Sequence, residues 1–114
     1  MDYAFSRAEQ KKERKRMRMT IYDNIRDTKT LLVDDDPWIR NSMSIVFESE
    51  ECLLTSVETA EEALAELERE RYGIIICDYK LPGIDGISFF SRLPDNYRES
   101  IRILITAYGS SSLL

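Results

Sequence analysis

The stretch Leu31-Leu32-Val33-Asp34-Asp35-Asp36-Pro37 decides how this chain is read. An apolar run stops abruptly in consecutive aspartates, and a proline follows at once. Proline suits the first position of a helix, where its missing N–H is one of the unpaired donors anyway. Asp36 before it suits the N-cap, because its carboxylate can accept from the exposed N–H groups of the first turn. Ile39, Met43 and Val46 then fall at helical spacing and predict an inward face. The stretch reads as strand, acidic turn, helix.

Outward from there the pattern repeats. Cys52 to Val57 predicts a second strand, and Thr59 with Glu62 has capping-box spacing ahead of a helix carrying Ala63, Leu64 and Leu67 inward. Ile74, Ile75, Ile76 and Cys77 run without alternation, as a parallel strand buried on both faces does, and the run stops at Asp78. Leu81, Pro82, Gly83, Asp85 and Gly86 make a turn-rich loop into a short helix with Phe89, Phe90 and Leu93, which Pro94 ends. Ile101 to Ile105 supply a fourth strand leading into Thr106. The order βαβαβαβ predicts an α/β architecture with an open parallel sheet and helices on both faces.

The 114 residues suit a single domain with a tail, and 43% apolar with 32% charged residues is the balance of a globular chain. Histidine is absent, which excludes imidazole bases, imidazole metal ligands and a phosphohistidine of the chain's own. Carboxylates and hydroxyls are left to carry any chemistry. Cys52 and Cys77 lie in apolar segments, are too few for a disulfide scaffold, and read as packing residues of a protein in a reducing cytosol. No apolar run approaches the ~18 residues that span a bilayer, so the expected location is cytoplasmic, without membrane contact.

Charge divides the chain near Thr30. Residues 1–29 hold nine Lys/Arg and five Asp/Glu, whereas residues 30–114 hold seven and sixteen. The predicted organisation is a basic N-terminal helical extension at 1–29 and one domain at 30–114. Ser6 and Glu9 have capping-box spacing, and a helix is expected from about Arg7 to Arg26, with Met19, Tyr22 and Ile25 as its apolar end. Six of the eight residues from Lys11 to Arg18 are basic, but no helix-turn-helix follows, so a nucleic-acid partner is not expected.

In an open parallel sheet the ligand crevice lies beyond the carboxyl ends of the strands, where successive connections diverge. Asp34 and Asp35 close the first strand, Asp78 the third and Thr106 the fourth. If the first and third strands are neighbours, three carboxylates converge and repel unless a cation neutralises them. All-oxygen ligands favour Mg²⁺, beside which an aspartate can attack a phosphoryl group while a hydroxyl donates to its oxygens. Taken alone, an Asp-Asp-Asp-Pro run is an ordinary acidic N-cap and Asp78 an ordinary turn residue. Their joint placement at the strand ends separates the two readings.

Three segments, Leu31-Leu-Val-Asp-Asp-Asp-Pro37, Cys77-Asp-Tyr-Lys-Leu-Pro-Gly-Ile-Asp-Gly86 and Ile103-Leu-Ile-Thr-Ala-Tyr-Gly109, together resemble the receiver domain of bacterial two-component response regulators. The resemblance covers about residues 29–110 and implies a flavodoxin-like, doubly wound fold. It implies that Asp78 accepts a phosphoryl group from the phosphohistidine of a sensor histidine kinase or phosphotransfer protein. Asp34, Asp35 and Asp78 with the backbone carbonyl of Lys80 would hold Mg²⁺, and Thr106 would be the switch hydroxyl. Pro82 and Gly86 would only shape the loop. Such a chain is a phosphoacceptor and not an enzyme.

The pattern also departs from the family, which has five strands where four are expected here. With the fifth strand go the lysine that pairs with the phosphoryl group and the aromatic switch residue, for which Tyr108 is at best a partial replacement. Lys80 is not expected to substitute, because its family position points the side chain away. Exposing Ile103, Leu104 and Ile105 would forfeit ~1.5 to 3 kcal/mol each, so a cover for the fourth strand is expected. The N-terminal helix, a second copy in a homo-oligomer, or a missing C-terminal segment could supply it. The alternative function is a pseudo-receiver, a docking or dimerisation module that works without phosphate.

Overall fold

A computed structural model of the chain describes residues 6–12 and 25–106. Its centre is a four-stranded sheet built from β1 (Thr30–Val33), β2 (Leu54–Val57), β3 (Ile74–Asp78) and, at one edge, Ile101–Ile105. All pairings are parallel and the spatial order places β1 between β2 and β3, with Ile101–Ile105 beyond β3. Helix α1 (Pro37–Ser49) joins β1 to β2, and α2 (Ala60–Arg69) joins β2 to β3. After β3 come two very short antiparallel strands, β4 (Lys80–Leu81) and β5 (Ile84–Asp85), then α3 (Gly86–Ser91) and a 3₁₀ turn at Asp95–Tyr97. The edge strand Ile101–Ile105 is therefore β6. This is the predicted open parallel α/β sheet.

The helix starts follow from their caps. Asp36 accepts from the Trp38 N–H at 2.9 Å ahead of Pro37, Thr59 accepts from the Glu62 N–H at 3.1 Å, and Asp85 accepts from the Ser88 N–H at 2.7 Å. At α2 the macrodipole adds to the cap, since Glu61 and Glu62 stand in its first turn and Arg69 in its last. Glu51, with φ 58°, turns the chain after α1, and the Cys52 N–H donates back to Phe47 O at 2.8 Å. That turn and that bond take up the residues in which the second strand was expected to begin, so β2 starts at Leu54 and not at Cys52.

Alternation along the strands divides the core in two. Leu31, Val33, Ile75 and Cys77 point to the face covered by α2, α3 and the 3₁₀ turn, where they meet Ala63, Leu67, Phe89 and Tyr97. Leu32, Ile74 and Ile76 point to the α1 face, where Met43, Leu54, Ile105 and Ile25 pack partly buried against them. Of the expected inward face of α1, Ile39 and Met43 are half-buried, but Val46 is 46% exposed and Phe47 is turned further inward. The helix rolls this way because the sheet it crosses offers only a narrow apolar strip on that face. Both cysteines are buried free thiols.

In the N-terminal extension residues 7–12 are helical, with the Glu9 N–H donating to Ser6 Oγ at 3.2 Å as the capping spacing predicts. Ile25 packs on the α1 face, while Met19 and Tyr22 lie outside the described residues.

Candidate metal and phosphoryl site

The connections on either side of β1 diverge: α1 crosses one face toward β2, and β3 is reached from β2 by α2 over the other. That switch point opens a crevice above the carboxyl ends of β1 and β3. Register sets what stands there. Val33 pairs with Cys77, so the residues that follow, Asp34 and Asp78, stand side by side, and Ile105 pairs with Asp78, which brings Thr106 to the same rim. The Tyr79 N–H donates to Ile105 O at 2.7 Å and ties the ends of β3 and β6 together.

Asp34, Asp35 and Asp78 offer carboxylate oxygens that all lie within 4.8 Å of one another. Asp34 is fully buried, Asp78 half-buried and Asp35 exposed, a gradient from the floor of the site to its mouth. Asp34 Oδ1 accepts from the Asp36 N–H at 2.9 Å, whereas Oδ2 is buried with no hydrogen-bond partner. Burial raises the Asp34 pKa, the Asp36 N–H opposes that shift, and the neighbouring charges of Asp78, Asp35 and Asp36 add to it. A buried carboxylate oxygen without a donor, facing two further carboxylates, is the donor set of a hard divalent cation, so these residues fit Mg²⁺.

A cleft of about 620 Å³ opens over this cluster, lined by Asp35, Asp78, Lys80, Pro82 and Thr106 among others. The Lys80 N–H donates to Asp78 Oδ1 at 3.3 Å, so the loop after β3 is folded back onto the carboxylate. The structure thus brings Asp34, Asp35, Asp78, Lys80 and Thr106 to one place, while Tyr108 lies outside the described residues. The Cys77 thiol, next to Asp78, faces away into the core and is pushed up to about 12, chiefly by burial and then by the Asp78, Asp34 and Asp85 charges. It is a packing group with no nucleophilic part.

Two close contacts escaped the sequence reading. Gly86 is needed for close approach as well as for loop shape: a Cβ there would stand 2.7 Å from Asp78 O and 2.6 Å from Leu104 Cδ1. Its N–H donates to Tyr79 O at 2.7 Å, so α3 begins hard against the segment that presents Asp78. Arg40, on the first turn of α1, reaches back so that one guanidinium nitrogen donates to Asp34 O at 2.8 Å. No spacing rule flags either residue, because each acts on backbone from another element.

The site is a doubly wound sheet with an acidic triad at its switch point, a hydroxyl on the next strand end and an open mouth. The response regulator receiver domain family matches residues 30–114, and the chain belongs to it. It is 33% identical over 81 residues to the hydrogenase transcriptional regulatory protein HoxA of Cupriavidus necator, covering 71% of this chain and 17% of that protein. The sporulation initiation phosphotransferase F of Bacillus subtilis is 34% identical over 87 residues, 75% of this chain and 69% of its own length. The chain spans 17% of the curated relatives it matches first. Among solved structures, the response regulator TrrA of Thermotoga maritima in complex with Mg²⁺-BeF superposes with a TM-score of 0.66 at 31% identity, covering 75% of this chain and 76% of that one. TrrA has also been solved in complex with the histidine kinase ThkA, with a TM-score of 0.65 at 30% identity over 72% of this chain and 71% of that one.

Proposed function

We propose that this receiver domain works in a cytoplasmic two-component phosphorelay by accepting a phosphoryl group on Asp78 from the phosphohistidine of a sensor kinase or phosphotransfer protein. The observation that carries the reading is the convergence of Asp34, Asp35 and Asp78 around a buried carboxylate oxygen that has no protein donor. The chain of TrrA structures, one with Mg²⁺-BeF and one with a histidine kinase, supports it by analogy. Asp34, Asp35, Asp78 and the Lys80 backbone carbonyl would hold Mg²⁺. The ion, when bound, screens the negative charge that the aspartates and an incoming phosphoryl group would otherwise share.

The chain's own part is positional. Asp78 presents its carboxylate at the half-buried level of the cleft, where the Lys80 N–H donates to Oδ1 and leaves Oδ2 for the attack. That oxygen attacks phosphorus as the P–N bond to the donor imidazole breaks, and the imidazole departs with the bonding pair. Thr106, on the cleft wall, donates its hydroxyl to a phosphoryl oxygen and so couples the state of Asp78 to the end of β6. The chain is a phosphoacceptor and not a turnover enzyme.

One observation favours a second reading. Ile101, Ile103 and Leu104 on the edge strand β6 are 58%, 43% and 39% exposed, which suits a docking surface for a second copy or another chain that operates without phosphate. One assay separates the two. Acetyl phosphate with Mg²⁺ is expected to give a hydroxylamine-labile mass gain on the wild-type chain that Asp78→Asn lacks. A wild-type chain that gains no mass leaves only the docking module.

A further inference from the structure

We infer that Arg40 is a positioning residue that locks the acidic loop into its cation-holding geometry, a role that rests on the metal reading above. Asp34 O, at the carboxyl end of β1, accepts from one guanidinium nitrogen of Arg40 at 2.8 Å, and the other nitrogen meets Glu58 Oε1 at 3.3 Å. Glu58 directly follows β2, and the Asp34 N–H already donates to Val57 O at 3.1 Å. One side chain from α1 therefore clamps the end of β1 to the end of β2. The Arg40 side chain is only 18% exposed, so the clamp is held by packing, while Glu58 at 61% is its open end.

The consequence lies in the peptide plane between Asp34 and Asp35. The Asp34 carbonyl belongs to that plane, so the Arg40 hydrogen bond restrains its rotation, while the bond from the Asp34 N–H to Val57 O holds the plane before it; together they set the direction in which Asp35 leaves the backbone. Asp35 is the exposed member of the triad, with the least packing to hold it. Without the clamp, the floor carboxylate stays where its Asp36 hydrogen bond and burial keep it, and the mouth carboxylate wanders.

Sign distinguishes this role from a charge effect. A guanidinium near the triad repels a divalent cation, so deleting it should tighten binding if charge alone mattered. Positioning predicts the reverse, a loss on the order of tenfold, the scale at which residues that orient metal ligands act. The experiment is calorimetric titration of Mg²⁺ into the full chain, wild type against Arg40→Ala, Arg40→Lys and Glu58→Gln. The expected order of affinity is wild type, then Glu58→Gln, then Arg40→Lys, which restores one donor to the Asp34 carbonyl, then Arg40→Ala. Equal or tighter binding by Arg40→Ala overturns the inference. If wild type itself takes up no Mg²⁺, the metal reading falls, and the metal-free Asp35 amide resonance decides on Arg40: unchanged in Arg40→Lys and Arg40→Ala, it overturns the clamp, and displaced most in Arg40→Ala, it supports it.

Discussion

The two faces of the sheet are unequal. On one, eleven buried residues from β1, α2, the loop after it, β3, β4, α3 and the 3₁₀ turn form a single cluster, and the Tyr97 hydroxyl shares its proton between Leu67 O at 2.9 Å and Glu70 O at 2.8 Å. On the other, Leu32, Ile74 and Ile76 are the buried residues, and α1 contributes no buried residue of its own. Trp38 and Ile45 on α1 are 74% and 59% exposed, and Ile101 and Ile103 continue the same face along β6. Asp34 is nonetheless fully buried, with Arg40 of α1 on its carbonyl, so a thinly packed face can still hold one wall of the acidic site while the larger apolar cluster lies on the α2 side.

The largest test of that asymmetry is Phe89→Ala. Phe89 is fully buried on the covered face and packs against Phe90 at 5.6 Å between ring centroids. Truncation should cost about 3–5 kcal/mol in urea unfolding, which is a large part of the ~5–15 kcal/mol available to a whole domain. A cost under 1 kcal/mol would mean that the covered face is not the main source of stability. Gly86→Ala comes next. Its Cβ would press on Asp78 O, a backbone atom that cannot swing aside, and on the Leu104 side chain, so a loss of about 1–3 kcal/mol is expected. Because Asp78 would be the residue displaced, Mg²⁺ binding by Gly86→Ala should weaken as well, which a Phe89→Ala chain measured below its unfolding midpoint should not show.

Asp34→Asn changes the sign. The folded-state pKa of Asp34 is raised, so stability is fullest below the ordinary carboxylate pKa and declines as pH rises through the raised folded value. Wherever Asp34 is ionised, the metal-free chain carries a buried charge it would be better without. Asparagine keeps an oxygen for the Asp36 N–H and removes that charge. The variant should melt higher than wild type without metal, by a margin that grows as pH rises above the ordinary carboxylate range, and should lack the rise in Tm expected of wild type with Mg²⁺. Melting below wild type at pH 7 would show that Asp34 is ionised at no net cost, and with it the case for a cation at Oδ2 would weaken.

How much of this was legible in the sequence depends on whether the cause was local. β1, its acidic turn and the start of α1 could be read because Asp36 and Pro37 fix them within one turn. Asp34, Asp35 and Asp78 could be brought together because strand ends in a parallel sheet share a rim. The inward face of α1 could not, since whether Val46 or Phe47 turns inward is decided by the strip of sheet it crosses, not by its own periodicity. β4 and β5, at two residues each, are too short for any alternation to register. Nothing in its spacing sets Arg40 apart from a helix-surface cation, because its partner is the Asp34 carbonyl on another element, and the close approach at Gly86 depends on a leucine eighteen positions later, Leu104.

The smallest effect bears hardest on the asymmetry. Ile45 on α1 is 59% exposed and belongs to neither buried cluster, so Ile45→Ala removes little apolar area from contact and replaces a β-branched residue by the best helix former. Its effect in urea unfolding should stay within about 0.5 kcal/mol in either direction. The same substitution would cost about 2–5 kcal/mol if the face were covered in solution by another part of the chain or by a second copy. Concentration separates those covers: a cost that appears at high protein concentration and fades on dilution points to a second copy, since only an intermolecular cover obeys mass action. A cost that is large and independent of concentration points to cover from within the chain, which would make the α1 face as much a core as the one beneath α2 and remove the contrast from which these tests start.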